Sequence, residues 1–129
     1  MRGIVTLCGS TRFVEDFNLV SLDLTLADYV VLSIGSHLQS DDQLKYKIAE
    51  EEKKRLDALH LEKIEMSKAV VILNRDGYVG SSTKSEILYA KKLDKNIYWL
   101  YPEYAHSFTP NPRHWLELLY VSNDDKGKE

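Results

Sequence analysis

Cysteine is almost missing from this chain: Cys8 is the only one in 129 residues, so no intramolecular disulfide can staple the fold. An excess of charge of one sign is missing too. Lysines and arginines are interspersed with acids and the formal net charge is only −3, which leaves no footprint for sequence-independent nucleic-acid binding. A small molecule is the expected partner, and nucleic acid is not. No apolar run approaches the roughly 18 residues that a membrane-crossing helix needs. The opening Met1-Arg2-Gly3-Ile4 has neither the apolar length nor the cleavage pattern of a signal peptide. A cytoplasmic protein without a membrane partner is expected. His37, His106 and His114 show no ligand spacing with Cys8, so neither a metal nor any other cofactor is predicted.

What is present is enough apolar sequence for one core and too little chain for two ordinary domains. Short continuous apolar runs recur at Ile4 to Cys8, Val30 to Ile34, Ala69 to Leu73 and Asn96 to Tyr101, as strands covered on both faces do. Between the first two, Phe13, Phe17, Val20, Leu24 and Ala27 repeat at helical steps. Further helices are predicted within Gln43 to Lys68, whose charged run Glu50 to Arg55 reads as a solvated face, from about Thr83 to Leu93, and from about Pro112 to Val121. Strand and helix alternate, which predicts an α/β fold: a Rossmann-like, open, doubly wound parallel sheet of four to five strands, helices on both faces and order 2-1-3-4. One domain over residues 1–121 is expected, with Pro102 to Pro112 as a loop and 122–129 as a disordered tail. In that order the loops after the first and third strands lie side by side at the carboxyl edge, where the site should be.

The first loop reads Cys8-Gly9-Ser10-Thr11-Arg12-Phe13. Glycine admits a close ligand, a helix N-terminus offers unpaired amides, and Ser10, Thr11 and Arg12 suit a phosphate, carboxylate or hydroxyl-rich molecule. The alternative is that Ser10 or Thr11 merely caps the helix and Arg12 is solvated. Neither a P-loop nor the three-glycine dinucleotide pattern is present. The second loop runs from Asn74 to Glu86 and contains Gly77, Tyr78, Gly80 and Ser82. Thr83-x-x-Glu86 also matches a capping box, which would occupy the carboxylate locally.

Gly9-Ser10-Thr11-Arg12-Phe13, followed by Asn74-x-x-Gly77-Tyr78-x-Gly80-x-Ser82-Thr83-x-x-Glu86-Ile87-x-Tyr89-Ala90, resembles the nucleoside 2-deoxyribosyltransferase-like superfamily, which includes the deoxynucleoside 5′-monophosphate N-glycosidases. The likeness covers roughly Ile4 to Leu100. It implies a flavodoxin-like fold and a nucleophilic carboxylate at Glu86. A glutamate beside an anomeric carbon can stabilise an oxocarbenium-like transition state and form a glycosyl-enzyme ester, and a carboxylate is expected to be ionised already at neutral pH. Tyr78 could flank the sugar or hydrogen-bond the nucleophile, or be partly buried packing.

The family usually carries an aspartate about a dozen residues before the third strand. His60 stands at that position here, either as a donor to the departing base or as a half-buried structural residue on a stripe with Leu56 and Ile64. Base contacts are expected from Gly35 to Asp42, with Asp41 the candidate, although aspartates before a helix are also N-caps. The expected substrate-binding set is Cys8, Gly9, Ser10, Thr11, Arg12, Phe13, Asp41, Asn74, Gly77, Gly80 and Ser82, around catalytic Glu86, His60 and Tyr78. The expected activity is cleavage or transfer of the N-glycosidic bond of a nucleoside or nucleotide. The alternative is a catalytically inactive nucleotide-binding or sensing module of the same fold. The apolar group Trp115, Leu116, Leu118, Leu119 and Tyr120 exceeds what one short helix needs, and with the resemblance it predicts a homo-oligomer, a dimer or larger.

Overall fold

The computed structural model describes residues 1–34 and 49–120. A parallel sheet of five strands runs in the order β2-β1-β3-β4-β5, formed by β1 (Gly3–Gly9), β2 (Tyr29–Leu32), β3 (Ala69–Leu73), β4 (Asn96–Trp99) and β5 (Arg113–His114). The helices are α1 (Val14–Leu26), α2 (Glu50–Met66) and α3 (Ser81–Lys92). This is the open α/β sheet expected from the alternating pattern, with one strand more than the 2-1-3-4 order.

The continuous apolar runs arise because both faces of the central strands are covered. All of β3 is buried. Alternate residues of the sheet feed opposite layers. Val5, Leu7, Ala69, Val71 and Leu73 meet Phe17, Val20 and Leu24 of α1, with Phe13 and Ala27 packed against them. On the other face Cys8, Val70, Ile72 and Trp99 meet Ile64 of α2 and Ile87 and Ala90 of α3. The charged start of α2, Glu50 to Arg55, is exposed, and Glu52 Oε1 accepts from the Ala49 amide at 3.2 Å.

The last helix, predicted from Pro112 to Val121, does not form over its described residues, 112–120. Instead, β5 pairs with β4, setting Tyr98 against Arg113 and Trp99 against His114, and a single 3-10 turn follows at Trp115–Leu118. The edge of β4 offers backbone partners that a helix would forfeit. Trp115 and Leu118, three residues apart, enter the core on the α1 side, a spacing that eclipses in a 3-10 turn. His114 closes the turn: its Nδ1 accepts from the Leu116 amide at 3.1 Å, and Glu117 Oε2 accepts from the His114 amide at 3.1 Å. The apolar surplus credited to an interface is therefore partly internal, since Trp115 and Leu118 are buried in the chain's own core. The stretch before β5 also contains a 3-10 turn, Pro102–Tyr104. Among the described residues no helix is long and apolar enough to cross a membrane.

Candidate functional site

β1 and β3 are neighbours in register, with Cys8 beside Ile72 and Gly9 beside Leu73. Their carboxyl ends therefore put the two loops together, as the topology predicts. The approach at Gly9 is close. A Cβ there would stand 3.0 Å from both the Cβ and the carbonyl oxygen of Leu73, so this position requires glycine for packing.

Neither local capping alternative is realised. The residue before α1 is Phe13, which makes no side-chain cap; Ser10 Oγ instead accepts from the Arg12 amide at 3.3 Å within the turn. The cap of α3 is Gly80, which makes Thr83 the third helical residue, buried rather than capping. The Thr83-x-x-Glu86 capping box is therefore absent because the helix starts earlier than the motif requires. Glu86 is left on the second turn of α3, facing β1 and α2.

There it meets the groups that define the site. His60 Nε2 lies 3.5 Å from Cys8 Sγ and 3.9 Å from Glu86 Oε1. The sulfur, the imidazole nitrogen and the carboxylate oxygen all lie within 4.8 Å of one another. Cys8 and His60 are buried, and the Glu86 side chain keeps 13% exposure. His60 shares its buried stripe with Ile64, while Leu56 stands exposed.

Burial dominates the electrostatics, because it penalises whichever form is charged. It pushes Glu86 up to about 7, with the charge of Asp57 adding to the rise and a hydrogen bond from Cys8 opposing it. Glu86 is thus only partly ionised at neutral pH, contrary to the sequence expectation. Burial drives His60 down to about 4, aided by the charge of Lys63 and opposed by the Leu7 backbone and by Asp57. The Cys8 thiol is raised by burial first and by Glu86 second. A cysteine nucleophile activated through a His-acid relay is not what this arrangement forms. Such a relay needs the acid on the other ring nitrogen, whereas Cys8 and Glu86 both approach Nε2, and the buried Nδ1 has no hydrogen-bond partner among the described residues.

A second group forms where the loops touch. The Arg12 guanidinium sits 4.4 Å above the Tyr78 ring, and Phe13 meets that ring edge-on at 5.9 Å. Tyr78 is 42% exposed, so it is half packing and half accessible wall. Gly77 has φ +82° and lies against Tyr104, which explains glycine there by backbone conformation. Asn74 is buried: its Nδ2 donates to the Tyr101 carbonyl at 2.9 Å, and its Oδ1 accepts from the Tyr101 amide at 2.9 Å. It therefore ties the ends of β3 and β4 together with one of its two amide hydrogens and one lone pair of its oxygen. Ser82 is exposed in the first turn of α3, and Thr11 is half-buried. Asp41 and its neighbours from Gly35 to Asp42 lie outside the described residues.

Two contacts were not foreseen in the sequence. Arg75 donates from Nε and Nη2 to Asp16 at 2.6 and 2.7 Å, fastening the second loop to α1. Cys8 meets His60 across 52 residues of chain, and no local spacing signals either pair. Depressions in the described surface lie elsewhere, about 400 Å³ over Arg55, Leu56 and Leu59 and about 310 Å³ beside Asn96, Ile97 and Arg113. The Cys8, His60 and Glu86 cluster outweighs them as a site, because it gathers reactive groups in buried contact at the carboxyl edge. The class defined by fold and site is an open α/β sheet with a buried thiol, imidazole and carboxylate at its carboxyl edge. No family model, curated protein or solved structure matches this chain.

Proposed function

We propose that the chain cleaves or transfers the N-glycosidic bond of a nucleoside or nucleotide, with Glu86 as the nucleophile. The observation that carries this reading is the freedom of Glu86 from helix capping: it faces the cluster at the end of β1 while retaining a solvent-accessible side. In the first step a carboxylate oxygen bonds to the anomeric carbon as the carbon–nitrogen bond breaks, and the electron pair leaves with the base. In the second, water or an acceptor base attacks that carbon, the ester bond breaks and the carboxylate is restored, while the proton lost by the attacking molecule passes through solvent to the departed base. His60 is held neutral and lies beside Glu86, so its part is to orient the nucleophile; a group driven down to about 4 is not a reserve of protons at neutral pH. Arg12, stacked on Tyr78, supplies the cation for a phosphate or sugar oxygen.

The neutral His60 and partly protonated Glu86 also favour a second reading, a nucleotide-binding module without turnover. Both are tested by incubating the protein with a panel of nucleosides and 5′-monophosphates, ribo and deoxy, with and without an acceptor base, and measuring free or exchanged base. The expected result is turnover on part of the panel that falls at least about 100-fold in Glu86→Gln. Turnover equal in wild type and Glu86→Gln overturns the nucleophile. Ligand-induced thermal stabilisation without base release establishes the binding module instead.

A further inference from the structure

The Cys8, His60 and Glu86 cluster has a geometry that neither glycosidic chemistry nor core packing requires. Each donor comes from a different element: Cys8 from β1, His60 from α2 and Glu86 from α3. Their donor atoms converge within 4.8 Å, and the convergence holds a sulfur, a nitrogen and an oxygen. We propose that these residues form a binding site for one divalent transition-metal ion of the zinc class, with the fourth position open on the exposed side of Glu86.

The two separations from the imidazole nitrogen fit. A tetrahedral ion with zinc-type bond lengths sets its sulfur and nitrogen ligands about 3.6 Å apart and its nitrogen and oxygen ligands about 3.3 Å apart. The observed Cys8–His60 separation is 3.5 Å, and the His60–Glu86 separation is 3.9 Å. Closing the second gap needs a movement of about half an ångström at the end of a glutamate side chain, well within its torsional reach.

The charge count fits as well. A thiolate and a carboxylate carry two negative charges, the imidazole binds as a neutral ligand, and a divalent ion brings the sum to zero. Such neutrality matters in a buried site, where an uncompensated charge is strongly disfavoured by lost hydration. Binding transfers the Cys8 thiol proton to solvent as the sulfur–metal bond forms, together with the proton of any Glu86 that was neutral. A thiolate and an imidazole disfavour magnesium and calcium, which take oxygen ligands. Three protein ligands with a fourth position open is the pattern of reactive rather than purely structural zinc sites. The spacing rule applied to His37, His106 and His114 could not find this set, because the histidine that reaches Cys8 is His60.

Metal binding does not depend on the glycosidic reading. The two share Glu86 and His60: an ion on the carboxylate withdraws the negative charge a nucleophile would use, so on that reading the metal-loaded protein is the inactive form.

The test is a cobalt titration of the full chain after removal of metals by a chelator, with no nucleotide present. One equivalent of cobalt should bind, producing a thiolate-to-cobalt charge-transfer band in the near ultraviolet and the intense visible bands of a four-coordinate ion; one equivalent of zinc should abolish both. Cys8→Ser should lose the charge-transfer band, and His60→Ala should weaken binding at least about tenfold. Absence of the band in wild type, its persistence in Cys8→Ser, or wild-type affinity in His60→Ala overturns the site. Should either variant fail to fold, X-ray absorption of the zinc-loaded wild type decides. One sulfur at about 2.3 Å with nitrogen and oxygen neighbours near 2.0 Å supports the site, and an all-oxygen shell overturns it. Base release measured separately in the presence of chelator keeps the fate of the glycosidic reading apart from this result.

Discussion

Burial acts in opposite senses on the two titratable neighbours of Cys8. His60, driven down from 6.5 to about 4, refuses a proton in the fold that the unfolded chain accepts below 6.5. Its contribution to stability therefore falls as pH drops from 6.5 to 4. Glu86, raised from 4.5 to about 7, keeps in the fold a proton that the unfolded chain releases above 4.5. Its contribution is complete below 4.5 and is lost as pH rises to 7. Between pH 4.5 and 6.5 the two slopes oppose each other. In metal-free protein, the stability of Glu86→Gln relative to wild type should fall as pH is lowered through this window, by up to about 1.4 kcal/mol per pH unit. His60→Gln should change in the opposite direction by a similar amount. Urea midpoints measured at half-unit steps check this, and parallel curves for all three proteins would show that neither group is held as described.

At the scale of elements, the site depends on how tightly β1 and β3 close at their carboxyl ends. Gly9→Ala would drive a Cβ against the Leu73 Cβ and carbonyl oxygen, both at 3.0 Å. A backbone oxygen fixed in the sheet cannot swing aside, so the strands must part. The expected loss is about 1–3 kcal/mol. Gly80→Ala provides the contrast, since its Cβ would meet the Tyr78 hydroxyl at 3.3 Å, the movable end of a side chain, and the loss there should stay below about 1 kcal/mol. Equal urea midpoints for the two variants would refute this account of Gly9.

The same elements show which features could be read in advance. β1 and β3 were legible because double-sided burial leaves unbroken apolar runs, and α1 because Phe17, Val20 and Leu24 must share one face. The segment after Pro112 was not. Its helix-like density of apolar residues is overruled by the free edge of β4, a partner that only the tertiary structure supplies. Thr83-x-x-Glu86 misled for a related reason, since a four-residue motif does not say where its helix begins. Glu86 and His60 were picked out individually, but their meeting with Cys8 joins three elements through the sheet order, and no window of sequence contains it.

For the molecule as a whole, the last described turn is tied to the first strands. The Tyr29 hydroxyl donates to the Leu118 carbonyl at 2.8 Å, and Arg2 Nη1 donates to the same oxygen at 3.4 Å. Trp115, 5% exposed, lies in the cluster with Val5, Phe17, Val71 and Tyr98, so the last described turn helps seal the layer that the first strands form. If that layer is one cooperative unit, Trp115→Ala should destabilise the entire domain by about 3–5 kcal/mol. The urea midpoint should fall with the slope unchanged, because the same surface is still exposed on unfolding. If the segment is instead an independently docked strap, the variant should lose slope, or unfold in two steps, while the main transition stays near its wild-type midpoint. The shared carbonyl of Leu118 argues for the first outcome: detaching the turn removes the acceptor of both Tyr29 and Arg2, and Tyr29 is itself buried against α1 and β1. Loss at this edge must therefore reach β1, the strand that presents Cys8 and Gly9 to the site.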